Sequence, residues 1–318
     1  MMGQITDVPG VKVGQKENLD ALTGCTVVLF ENGAVGGVDV RGSAPGTRET
    51  DLLNPINLVE KVHGILLSGG SAFGLDAASG VMQYLEENGI GLDVGVAKVP
   101  IVPGAVLFDL AVGDSKVRPN KEMGYEAAQS ASTEKFKTGN AGAGCGATVG
   151  KLAGPDFCMK GGLGSASVRL ENGIVIGAIV AVNAVGEVRD PAAGKIMAGA
   201  YDRKRNTMID SMLLLEKNYQ AVIPAGTNTT IGVVALNANL TKSEANKVAQ
   251  MAQDGYARTI YPVHTMNDGD TIFAAATGGI RIPVDVAGAL AAKVMELAIL
   301  NAIQSAEGIA GIPAYKDI

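Results

Sequence analysis

The 318-residue sequence predicts an α+β fold in which strands and helices share one core, and three observations carry that expectation. Short β-rich runs at Cys25–Phe30, Ile174–Val182, Thr229–Asn237 and Thr271–Thr277 alternate with stretches of helical periodicity. The segment Glu171-Asn172-Gly173 sits between two apolar runs and supplies the Asn-Gly turn of a tight hairpin, which favours antiparallel pairing over a doubly wound parallel sheet. Forty-three glycines and no tryptophan point to tight turns and to layers that approach closely.

Helices are predicted over Phe73–Asn88, Thr241–Ile260 and Asp285–Gln304. The second opens with Thr241 and Glu244 as a capping box and repeats Ala245, Val248, Ala252, Tyr256 and Ile260 at helical spacing. The third is rich in alanine (Ala287, Ala289, Ala291, Ala292), which lets it lie close against a sheet or another helix. Lys135–Gly146, polar and then glycine-rich, reads as a surface loop. No internal repeat appears, and residues 1–318 are expected to form a single domain.

Composition excludes several function classes. With 47% hydrophobic and 18% charged residues the chain has material for a large core. A net charge of −6, without any basic run, leaves no surface suited to nucleic acid. Cys25, Cys145 and Cys158 lack paired spacing and read as reduced buried thiols, so no structural metal is expected. Met1–Lys16 lacks the apolar centre of a signal peptide, and the apolar segments are broken by glycine and polar residues. A cytoplasmic protein without a membrane segment is therefore expected.

Familiar cofactor motifs also fail. Gly142-Ala143-Gly144-Cys145-Gly146-Ala147 follows polar Thr138-Gly139-Asn140 instead of a strand, so it is not a dinucleotide loop. Gly150-Lys151 has Cys145 where a phosphate loop needs glycine and Leu152 where it needs a hydroxyl. No cofactor is expected. His63 and His264 are the only histidines, and His63 is expected near the end of a helix. Nucleophile chemistry without histidine becomes the natural enzyme hypothesis.

Two segments suit that chemistry. Gly226-Thr227-Asn228-Thr229-Thr230-Ile231 is a polar turn entering an apolar strand, and Asp268-Gly269-Asp270-Thr271 pairs two carboxylates two residues apart. Together with Gly42-Ser43-Ala44-Pro45-Gly46-Thr47-Arg48-Glu49-Thr50-Asp51, Gly69-Gly70-Ser71-Ala72-Phe73-Gly74-Leu75-Asp76 and Gly142-Ala143-Gly144, they resemble a family from nearly end to end. It is the self-processing L-aminopeptidase/D-amidase-esterases, which include β-peptidyl aminopeptidases, and the resemblance is closest to the nylon-oligomer endohydrolase branch.

The resemblance implies a four-layer αββα sandwich of the N-terminal-nucleophile-hydrolase kind, assembled as a homo-tetramer or similar homo-oligomer. It implies self-cleavage between Asn228 and Thr229, giving fragments 1–228 and 229–318, after which Thr229 carries both a nucleophilic hydroxyl and a free α-amine. Asp268 and Asp270 would orient Thr229, Asn183 would stabilise the oxyanion, and Lys151 would favour the unprotonated amine. Gly70, Ser71 and Phe108 would line the pocket, with Phe108 where relatives carry a tyrosine. The implied activity is that of an aminopeptidase or amidase on small peptides or ω-amino-acid oligomers. Alternatives are acyl transfer through the same acyl-threonine, or an unprocessed, inactive binding scaffold.

Overall fold

The structure is a computed structural model that describes residues 3–217 and 227–318. Met1, Met2 and residues 218–226, among them the Gly226 of the segment expected to form a polar turn, lie outside the described residues.

Among the described residues, nine strands join one large sheet. They are β1 (Lys12–Asn18), β2 (Thr23–Val40), β3 (Thr47–Arg48), β4 (Lys61–Ser68), β5 (Gly104–Val106), β6 (Gly162–Arg169), β7 (Val175–Asn183), β8 (Thr229–Ala238) and β9 (Thr271–Ile280). The order is β6-β7-β8-β9-β2-β4-β5-β3, with β1 also on β2. Most pairings are antiparallel; β8 with β9 and β4 with β5 are parallel. The Asn172-Gly173 hairpin joins β6 to β7 as its turn chemistry requires, with Gly173 at φ +85°.

The long strand β2 turns this sheet into two layers. Its first part pairs with β1 and β4, the register shifts between Leu29 and Ala34, and Val35–Val40 then pair with β9. Side-chain alternation sorts the core accordingly. Cys25, Val27, Leu29 and Leu66 pack under α1 (Ala77–Glu87) and α2 (Lys121–Gln129). Val28, Phe30, Ile65 and Leu67 meet Ile179, Ala181, Ile231, Val233 and Phe273 between the two sheet layers. Val180, Val182, Val234 and Ile272 face α3 (Lys242–Thr259) and α4 (Val284–Ser305). The result is the expected four-layer αββα sandwich.

Small residues set the spacing of its outer layers. An added Cβ on Gly164 in β6 would lie 2.0 Å from the Ala298 carbonyl of α4, so only glycine admits the helix there. The capping box also forms: Thr241 Oγ1 accepts from Glu244 N, and Glu244 Oε2 accepts from Thr241 N.

Four local expectations change. The stretch Phe73–Asn88 divides into a 3-10 segment, Ser71–Asp76, and then α1, because Gly74 packs directly on the Gly69 carbonyl, where any Cβ would lie 1.8 Å away. His63 lies in β4, its Nδ1 accepting from the Ile101 amide, so it ends no helix. The glycine-rich half of Lys135–Gly146 is buried, since Gly142–Gly144 is threaded between Thr26 and the backbone of Leu163. By length and composition α4 is apolar enough to cross a membrane, yet it packs on β6, β7 and α3, where its alanine-rich face is buried.

Candidate active site

Strand register determines which side chains meet. Asn183, the last residue of β7, is paired directly with Thr229, the first residue of β8. Both share the alternation of Ile179, Ala181, Ile231 and Val233, so their side chains project between the two sheet layers at one end of the sandwich. Each is buried, Asn183 fully and Thr229 with 3% of its surface exposed.

The continuous chain passes through this point with Asn228 bridged to Asp268. The Thr229 hydroxyl donates to the carbonyl oxygen of Asn228, and the Gly269 amide donates to the same oxygen at 3.0 Å. Gly269 fits because it lacks a side chain: a Cβ there would stand 2.6 Å from the Ala44 carbonyl and 2.9 Å from Thr229 Oγ1. The Gly42–Gly46 motif belongs to the same cluster, with Ala44 N donating to the Asp268 carbonyl and Gly42 N to that of Asp270. Segments distant in sequence are thereby laced together by main-chain bonds.

Asn183 is held at three points. Its Oδ1 accepts from Thr148 N at 3.0 Å and from Lys151 Nζ at 2.9 Å, while its Nδ2 donates to the Phe108 carbonyl at 3.0 Å. Because the Thr148 backbone amide only donates, this network fixes which end of the Asn183 amide is oxygen. One Nδ2 hydrogen is left to point elsewhere. Lys151 Nζ also reaches the Asn183 carbonyl at 2.9 Å, and burial pushes its ammonium down to about 7.

The two carboxylates hold main-chain amides, Asp270 that of Thr230 in β8 and Asp268 that of Val185 just beyond β7. Asp270 Oδ1 accepts from Thr230 N at 2.7 Å, and its Oδ2 accepts from His264 N and lies 2.9 Å from His264 Nδ1. Asp268 Oδ1 accepts from Val185 N at 3.3 Å, and its Oδ2 accepts from the Thr265 amide and hydroxyl. Burial, and secondarily the nearby Asp270, push the Asp268 carboxyl up to about 6. Neither carboxylate touches the Thr229 hydroxyl in the continuous chain, where the Asn228 carbonyl already occupies it.

The expected pocket residues adjoin this cluster through backbone. Phe108 is half-buried and reaches Asn183 with its carbonyl, a bond independent of whether the ring carries a hydroxyl. Gly70, at φ +81°, donates its amide to Asp109 Oδ1, and Ser71 N donates to the Leu107 carbonyl. Sequence reasoning passed over Asp109, whose carboxyl is raised by burial, and Lys160, fully buried on the Cys145 and Ala147 carbonyls and lowered by burial to about 8. It also passed over the Gly269 amide and over His264, which stands six residues before Asp270 in the same segment. The motif glycine between the two acids was the one signal for the former.

Burial raises all three thiols, and Cys158 lies near Lys151. Burial pushes Cys25 up to about 12 and Cys145 up to about 11. Among the described residues no group of three or more His, Cys, Asp and Glu side chains is arranged to hold a metal ion. A surface groove lined by Gln83, Lys121, Glu122, Tyr125 and Glu126 lies on α1 and α2 and contains none of the residues above.

The αββα sandwich is that of an N-terminal-nucleophile (Ntn) hydrolase fold, as solved structures show. The L-aminopeptidase D-Ala-esterase/amidase of Ochrobactrum anthropi, described as a variant of the Ntn hydrolase fold, superposes with a TM-score of 0.74 at 18% identity, covering 98% of this chain and 90% of that one. A β-aminopeptidase of Burkholderia sp. gives a TM-score of 0.72 at 22% identity, covering 99% and 90%. The family is shown by sequence: the profile of Peptidase family S58 matches residues 3–316, and the chain belongs to that family. An uncharacterized aminopeptidase of Mycobacterium leprae (strain TN) is 43% identical over 99% of this chain and 93% of its own length. The 6-aminohexanoate-oligomer endohydrolase of Kocuria sp. (strain KY2) is 34% identical over 93% and 84%.

Proposed function

We propose that this chain is an amide hydrolase that cuts its own Asn228–Thr229 bond and then uses Thr229 as both nucleophile and base. Hydrolysis of amide bonds follows from membership of the peptidase family and from relatives named as aminopeptidase and amide-oligomer endohydrolase. The observation that carries the finer reading is the Asn228 carbonyl oxygen, which receives both the Thr229 hydroxyl and the Gly269 amide.

In maturation the Thr229 oxygen attacks the Asn228 carbonyl carbon, and the resulting oxyanion stays on the Gly269 N–H. The C–N bond breaks, the nitrogen takes up the proton released by the hydroxyl, and an ester to Thr229 remains. Water cleaves that ester, leaving a carboxylate on Asn228 and restoring the hydroxyl beside a free α-amine. The two fragments share one sheet, because β8 and β9 of the second lie between β7 and β2 of the first.

In turnover the α-amine, with an ordinary pKa of about 7.7–8.0, accepts the hydroxyl proton as Thr229 attacks the substrate amide. The proton passes to the departing amine, and water releases the acyl group from Thr229. The free Nδ2 hydrogen of Asn183 suits the oxyanion of this step. Lys151, in its charged form, favours the unprotonated amine and holds Asn183 Oδ1, and Asp270 orients the strand through Thr230 N. Substrates are small peptides or ω-amino-acid oligomers with an accessible amine. Assembly as a homo-oligomer belongs to the same reading.

Denaturing electrophoresis with terminal sequencing tests the reading. Wild type is expected as two chains, the smaller beginning Thr229-Thr230-Ile231, while Thr229→Ala stays whole and inactive. Cleavage of Thr229→Ala at the same bond would assign the cut to another protease, and an uncut wild type that hydrolyses amides would assign the nucleophile elsewhere.

A further inference from the structure

We propose that His264 is a positioning residue for amide hydrolysis: its imidazole Nδ1–H holds one oxygen of Asp270 so that the other stays on the Thr230 amide and fixes the backbone that carries Thr229. The inference rests on the reading of Thr229 as nucleophile, and it assigns work to a residue outside that reading.

The geometry is a clamp from one residue onto one oxygen. His264 N donates to Asp270 Oδ2 at 3.1 Å, and His264 Nδ1 lies 2.9 Å from the same atom. Both contacts require the backbone of His264 to turn into the left-handed region, at φ +56°, an uncommon conformation for a residue with a side chain. The opposite oxygen of Asp270 accepts from Thr230 N at 2.7 Å, and Thr230 follows Thr229 directly. Asp270 is 1% exposed, so water does not replace a lost partner freely.

The ring itself is fixed from α3. Tyr256, fully buried, stacks against it with centroids 6.2 Å apart and planes 28° from parallel. Nδ1 faces the carboxylate, and Nε2 is buried without a hydrogen-bond partner among the described residues. A proton on Nε2 would be a buried donor without an acceptor, whereas a proton on Nδ1 is satisfied by Asp270. The arrangement therefore places the ring proton on Nδ1. His264 thus works as a fixed donor two hydrogen bonds away from the nucleophile, and its removal misplaces Thr229 without deleting a substrate contact. The cost falls on kcat.

The test compares His264→Leu, which keeps side-chain bulk and loses the donor, with His264→Asn, whose amide can reach the same carboxylate. Rates on an aminoacyl p-nitroanilide or a 6-aminohexanoate oligomer are normalised to the cleaved chain measured on a denaturing gel, with thermal melts to verify folding. His264→Leu is expected to lose kcat roughly 10- to 100-fold, with KM within about threefold, and His264→Asn to recover most of that loss. A kcat for His264→Leu within about twofold of wild type overturns the inference, and so does an equal loss in both folded variants. Should His264→Leu not fold, His264→Asn decides alone: at least about a third of wild-type kcat supports the role of donor, and less than about a tenth overturns it. Thr229→Ala, assayed in parallel, separates the two levels. Activity in that variant removes the nucleophile reading itself, whereas an inactive Thr229→Ala beside an unaffected His264→Leu removes only the role of His264.

Discussion

Gly269→Ala probes the maturation step at its narrowest point. The new methyl would lie 2.6 Å from the Ala44 carbonyl, 2.9 Å from Thr229 Oγ1 and 3.1 Å from Pro45 Cα, so it has backbone on one side and the Thr229 hydroxyl on the other. Two of these distances are shorter than a Cβ tolerates, and the Ala44 side is pinned by its own bond to the Asp268 carbonyl, so the Gly269 segment must move. Overpacking of this kind costs about 1–3 kcal/mol in stability. The same movement lengthens the 3.0 Å bond from Gly269 N to the Asn228 carbonyl, and loss of an oxyanion donor costs about 2.7–4 kcal/mol in the transition state, or roughly 10²–10³ in rate. The Gly269→Ala chain is therefore expected to accumulate uncut and to convert into two fragments about a hundredfold more slowly than wild type. A time course of freshly synthesised chain on a denaturing gel measures this, with circular dichroism to verify folding. Cleavage at the wild-type rate by a folded Gly269→Ala chain would refute both the donor role of Gly269 and the steric argument behind it.

Other outcomes follow from the same geometry. Asn183→Ala should lower kcat by roughly 10²–10³ with a smaller change in KM, because the missing N–H acts on the developing oxyanion; a pure KM effect in steady-state kinetics would make Asn183 a substrate-binding residue. Asp268 is raised by burial to about 6 from an ordinary value of 3.8, so the stability it favours is complete below the ordinary value and is lost as pH rises through about 6. The melting temperature of Asp268→Asn minus that of wild type should therefore grow between about pH 4 and pH 7, and a flat difference in scanning fluorimetry would contradict the burial argument. Lys151→Met removes the Nζ donor that holds Asn183 Oδ1 and should lower kcat, because the amide that meets the oxyanion is then held at one point fewer; an unchanged kcat would exclude that positioning role. Light scattering should give a mass that is a multiple of the 32.4 kDa chain, and a monomer in an active preparation would refute homo-oligomeric assembly.

The amino-acid sequence by itself determined what depends on neighbours along the chain. Thr241 and Glu244 cap α3 because a capping box needs only residues three apart, and Asn172-Gly173 turns β6 into β7 because the dipeptide accepts the required backbone angles. Short β-rich runs disclosed β7, β8 and β9, and several motifs in fixed order disclosed the family and, through it, singled out Asn183, Thr229, Asp268 and Asp270 as candidates. Tertiary structure decided who meets whom. His63 changed from a helix end to a buried strand residue because burial beneath neighbouring strands outweighs the weak local preference of its segment. The glycine-rich loop at Gly142–Gly144 became interior because a chain without side chains fits between Thr26 and Leu163, a demand set by the partners and invisible in the loop. The bend of β2, the pairing of Asn183 with Thr229, the Gly269 amide on the Asn228 carbonyl and the imidazole of His264 on Asp270 are all products of register between distant segments. A hydrogen bond depends on separations of a few tenths of an ångström, and only the packed sandwich sets distances that fine between residues far apart in the chain.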